Sequence, residues 1–88
     1  MTTKAPSSVK QAPENAIEKL AYAAVASIPT VDPHDQDRLG YNVWRWLTLR
    51  RDPLDIAVKT AGARLKISDE EAVQRIKEHL QKNGIQIP

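Results

Sequence analysis

Two groups of side chains in this chain have types and spacings that could do chemistry. The first is Asp32, His34, Asp35 and Asp37, oxygen and imidazole donors close enough in sequence to suggest a metal cluster. The same residues also spell a helix start. In Asp32-Pro33-His34-Asp35, Asp32 can cap orphan N–H groups, Pro33 suits the first helical position and Asp35 sits near the positive end of the macrodipole. With two carboxylates so engaged and no second histidine nearby, no metal is expected. The second group interleaves aromatics with arginine: Tyr41, Trp44, Arg45, Trp46, Arg50 and Arg51. Guanidinium groups bind phosphate and aromatics stack on bases, and an exposed Trp beside Arg is also the composition of a protein-binding hot spot. Trp44 and Trp46 point about 160° apart on a helix, so at least one belongs to the core, with the arginine stems covering apolar surface. His79 reads as a surface or boundary residue. No Gly-rich phosphate loop or nucleophile elbow occurs, and catalysis and a bound cofactor are not expected.

These residues need a scaffold, and the stretch from Leu39 to Leu49 defines it. At about 100° per residue, Leu39, Val43, Trp46 and Leu47 form one stripe, Tyr41 and Trp44 extend it around the side, and Leu49 lies on the far flank. Apolar atoms surround most of such a helix, so other helices must wrap it or a partner must cover what they leave bare.

The chain has 88 residues and no Cys or Phe, which fits one domain with a modest core and excludes thiolate chemistry and disulfides. The longest apolar-rich run, Ala21 to Ile28, is too short to span a bilayer, and a cytoplasmic protein without membrane association is expected. Charge is unevenly spread. Residues 38–66 carry Arg38, Arg45, Arg50, Arg51, Lys59, Arg64 and Lys66 against Asp52 and Asp55, a net +5, between flanks of net −2 and −1. An anionic partner would be met at this centre.

Residues 1–12 are too polar to offset the entropy of ordering and read as a disordered N-terminal tail; 13–88 read as a single helical domain. Pro13 opens a first helix, in which Ile17, Leu20, Ala21, Ala24 and Ile28 form a stripe, and Pro29 closes it. Its many alanines allow close approach, with the Trp residues as candidates to fill the space. A second helix should run from Pro33 to about Arg51. Asp52-Pro53-Leu54-Asp55 repeats the first capping solution and opens a third helix, Pro53 to about Leu65, with Leu54, Ala57, Val58, Ala61 and Leu65 buried. Gly40 and Gly62 fall inside these patterns and mark points of close contact or bending. Ser68 with Glu71 is a capping box, Ala72, Val73, Ile76 and Leu80 follow as a stripe, and Asn83-Gly84 gives the left-handed cap, with Ile85 folding back. The fold class is all-α: a small four-helix domain with a C-terminal helix-turn-helix-like hairpin.

Leu65-Lys66-Ile67-Ser68, Val73, Arg75-Ile76, Leu80 and Gly84-Ile85 carry a resemblance in residues 61–85. The segment resembles the helix-turn-helix of winged-helix regulators such as the leucine-responsive family. The resemblance implies that the last helix enters the major groove, with Gln74, Arg75 and Lys77 as its contacts and DNA as partner. Asp69, Glu70 and Glu71 crowd the end of that helix that would approach phosphates, and like-charge repulsion opposes binding there. The leading expectation is therefore a non-enzymatic module acting by protein–protein interaction or self-association through Tyr41, Trp44, Arg45 and Arg51. No small-molecule substrate is expected. The alternative is a DNA-binding, transcription-regulatory helix-turn-helix using Arg50, Gln74, Arg75 and Lys77.

Overall fold

A computed structural model describes residues 16–50 and 52–87. The tail expected over residues 1–12, the first helix's opening at Pro13, and Arg51 lie outside them. Among the described residues the chain forms α1 (residues 16–25), α2 (Pro33–Leu49), α3 (Leu54–Thr60) and α4 (Asp69–Lys82), with no strand beyond one isolated bridge. The protein is all-α, and no helix is long and apolar enough to cross a membrane.

Most of the apolar stripes read from the sequence are core, with Val25 added and with Ile17, Leu20, Ala61, Leu65 and Val73 only half-buried against it. Ala21, Ala24, Val25 and Ile28 of the α1 segment, Leu39, Val43, Trp46 and Leu47 of α2, Leu54, Ala57 and Val58 of α3, and Ala72, Ile76 and Leu80 of α4 form one buried cluster. Gly40 is a close-contact point. The ring of Tyr22 lies where a Cβ at Gly40 would stand, so α1 supplies the aromatic ring here and α2 the gap. Trp46 lines a cleft with Pro53, Leu54, Val73 and Ile87.

Each helix end shows where its backbone groups go. Asp32 caps α2 through a full box: its carboxylate accepts from the N–H groups of His34 (2.8 Å) and Asp35 (3.3 Å), and Asp35 accepts from the Asp32 N–H (3.2 Å). Past the end of α1 the Ala26 and Ile28 N–H groups bond the Ala23 and Val25 carbonyls, and Pro29, lacking an N–H, supplies no donor to continue the ladder. Gln36 Nε2 donates to the carbonyls of Val25, Ala26 and Ile28, and Arg75 Nη1 donates to that of Ser27.

α2 stops at Leu49, earlier than the expected Arg51. Arg50 turns left-handed (φ 55°) with its N–H on the Trp46 carbonyl, and its guanidinium lies 4.9 Å from the centre of the Trp46 ring. The physical reason is downstream. Asp52 precedes Pro53 and is biased away from helical backbone, so the chain must leave the helix before it. The second Asp-Pro start is not a copy of the first: Pro53 is the N-cap of α3 without a side-chain cap, and Asp52 contributes its carbonyl, which accepts from Trp46 Nε1 at 2.6 Å.

α3 also ends early, at Thr60 rather than near Leu65. Gly62 adopts φ +71° outside the helix and has open space around it, so it serves as a turn and not as a helix contact. Residues 63–67 then run extended against the α1–α2 connection, with Val31 N–H on the Arg64 carbonyl and Lys66 N–H on the Pro29 carbonyl. Ala61, Ala63, Leu65 and Ile67 are half-buried and alternate with exposed Gly62, Arg64 and Lys66. That is a period of two, equally present in the sequence beside the helical spacing of Ala61 and Leu65. Ser68 Oγ caps α4 by accepting from the Glu71 N–H, but the Glu71 carboxylate pairs with Arg75 (2.7 Å), so only half of the capping box forms. α4 ends as a Schellman motif: Gly84 (φ +88°) is the left-handed residue, Ile85 N–H bonds the Leu80 carbonyl and Gly84 N–H that of Gln81.

Candidate interaction surface

α2 is wrapped on its Leu39/Val43/Trp46/Leu47 side and open on another. Tyr41 and Leu49 remain 45% and 48% exposed, and Trp44 is half-buried. Tyr41 and Trp44 pack edge to face with ring centres 6.0 Å apart, a favourable aromatic arrangement that fixes two rings in one patch. Arg45, one turn beyond Tyr41, donates from Nη1 to the Tyr41 hydroxyl (3.3 Å) and lies 5.7 Å from the centre of its ring. Tyr41, Trp44 and Arg45 are thus brought together, with Thr48 and Leu49 lining a shallow hollow beside them.

The patch continues across the α2–α3 corner. A cleft of about 370 Å³ is lined by Asn42, Arg45, Trp46, Leu49, Asp52, Ile56, Ala57 and Thr60. Asn42 holds its two walls in register by donating from Nδ2 to the Ala57 carbonyl and the Thr60 hydroxyl. Ile56, 39% exposed, is an apolar member that the sequence reading missed. Its signal was available: two residues after Leu54, it points to the opposite side of the helix from the buried stripe.

The nucleic-acid candidates are divided among other tasks. Arg50 and Lys77 line one cleft of about 460 Å³ together with Trp46, Asp52, Asp55, Val73 and Ile87. Gln74 donates to Glu78 within α4. Arg75 is bound to Glu71 and to the end of α1, an inter-helix tie with no sequence signal of its own.

The Asp32/Asp35 group has a structural occupation as well. Asp35 is fully buried, and its carboxylate receives the Asp32 N–H and Arg64 Nε (3.2 Å to Oδ2), with Arg38 at 3.5 Å. Arg64 Nη2 also pairs with Asp32 at 2.7 Å, so the extended segment is clamped to the start of α2. Partial desolvation pulls the Asp32 pKa up, but the N–H groups of Asp35 and His34 and the Arg64 charge outweigh it and hold it below the ordinary value of 3.8. Desolvation, then the charges of Glu18 and Asp37, push the Tyr22 phenol up.

No family model matches this chain, and neither a curated protein nor a solved structure matches it.

Proposed function

We propose that this protein is a non-enzymatic helical binding module of the cytoplasm that acts by protein–protein interaction or self-association through the open face of α2. The observation that carries this reading is the ordered Tyr41–Trp44 pair, Tyr41 exposed and Trp44 half-buried, with Arg45 on its edge and exposed Leu49 and Ile56 beside it. Aromatic rings give large contact area at low entropic cost, arginine adds charge and hydrogen-bond donors, and both are enriched at the centre of protein interfaces. A photo-crosslinker placed at exposed Thr48, which lines the same hollow, tests it in intact cells. The expected result is a protein adduct that Tyr41→Ala abolishes; no adduct, or one indifferent to Tyr41→Ala, overturns the reading.

A DNA-binding, transcription-regulatory module is the second reading, favoured by Arg50 and Lys77 sharing one cleft. It has less to draw on, because Arg75 is already engaged by Glu71 and Ser27 and three carboxylates stand in the first turn of α4. Duplex DNA anisotropy across salt decides between the two. Binding at physiological ionic strength that weakens steeply with salt and is lost on Arg50→Ala would reverse the order.

A further inference from the structure

We infer that the occupant of the α2–α3 face is a second copy of this chain, paired about a two-fold axis; this rests on the binding reading above and specifies its partner. Arg45 and Asp52 line the same cleft, and neither takes part in an ion pair among the described residues. Leu49 lies between them in sequence, one helical turn after Arg45 and three residues before Asp52. A two-fold axis near Leu49 exchanges the two ends of such a surface, so Arg45 of each copy meets Asp52 of the other. A patch bearing one charge of each sign is complementary to itself, whereas a uniformly acidic partner would be repelled at Asp52 and a uniformly basic one at Arg45.

The apolar groups follow the same arrangement. Leu49 stands exposed on the wall of the cleft that the buried Trp46 and Ala57 also line, so a projecting apolar side chain and a recess occur together on one copy. That is the requirement of an isologous contact, in which each Leu49 enters the other copy's cleft. Tyr41 extends the Arg45 side and Ile56 the α3 side, and the same exchange sets them against each other.

Sedimentation velocity on the full chain over a wide concentration range tests this, with circular dichroism confirming that each variant is folded. The wild-type chain is expected to dimerise with concentration. R45D and D52R should each weaken the dimer by about tenfold or more, because each creates two like-charge contacts. The double variant R45D/D52R should dimerise again, and an equimolar mixture of the two single variants should associate more strongly than either alone. A monomer at all concentrations, or a double variant as weak as the singles, overturns the inference. If the chain is monomeric while the Thr48 crosslink still captures a different protein in a Tyr41-dependent way, the second copy is excluded and the binding reading stands; if that crosslink is also absent, both fall.

Discussion

Gly40→Ala should destabilise this protein although alanine is the better helix former. In an unhindered helix interior the substitution would stabilise by about 1 kcal/mol, because glycine loses more backbone entropy on folding. At Gly40 the new Cβ would stand 3.1 Å from Tyr22 Cγ and closer still to Cδ1 and Cε1 of the same ring. Restoring ordinary carbon–carbon contact requires a shift of about 1 Å between α1 and α2, or expulsion of the ring. Overpacking of this kind costs about 1–3 kcal/mol, which exceeds the propensity gain over most of its range and leaves a net loss of up to about 2 kcal/mol. Urea unfolding of the wild type, Gly40→Ala, Tyr22→Ala and the double variant separates the terms. Once Tyr22 is cut to alanine the collision disappears, and Gly40→Ala should then stabilise by up to about 1 kcal/mol. The sign change is the test. Stabilisation by Gly40→Ala in the wild-type background, or the same effect in both backgrounds, would refute the close approach of α1 and α2 at this point.

Trp46→Ala should cost about 3–5 kcal/mol in urea or thermal unfolding and can unfold so small a domain, since the indole is 7% exposed and its Nε1 also ties α2 to the Asp52 carbonyl; a loss below about 1 kcal/mol would show that it is not core. Trp44→Ala, by contrast, should change association measured by light scattering while circular dichroism stays native. Gln36→Ala should cost about 1–3 kcal/mol in the same unfolding assay, because it removes the side-chain donor from the Val25 and Ile28 carbonyls, of which only Val25 keeps a backbone donor, the Ile28 N–H. With the folded-state pKa of Asp32 below its ordinary value, its contribution to stability is complete above pH 3.8 and is lost as pH falls through the lowered value. Acid unfolding followed by circular dichroism should therefore be shallower in Asp32→Asn than in the wild type.

What the sequence determined by itself was the inventory of helices and most of the residues that face the core. These are local properties. The spacing of Leu39, Val43, Trp46 and Leu47, the Asp32 and Ser68 caps and the Asn83-Gly84 ending each depend on a few neighbouring residues, and each formed where it was read, the Glu71 half of the Ser68 box excepted, whereas α1 ends at Val25, before the Pro29 stop. Tertiary structure decided the rest, wherever one local pattern had two acceptable outcomes. Residues 61–67 satisfy both a helical and an alternating period, and the bonds to Pro29 and Val31, with the Arg64 clamp on Asp32 and Asp35, select the extended form. Asp52 could have capped α3, but Trp46 takes its carbonyl. Arg75 could have faced a ligand, but it serves the open end of α1, 48 residues earlier. Exposure of Tyr41, Leu49 and Ile56 is likewise a tertiary outcome, because periodicity names the side of a helix that is apolar, and only the placement of the neighbouring helices decides how much of that side is covered.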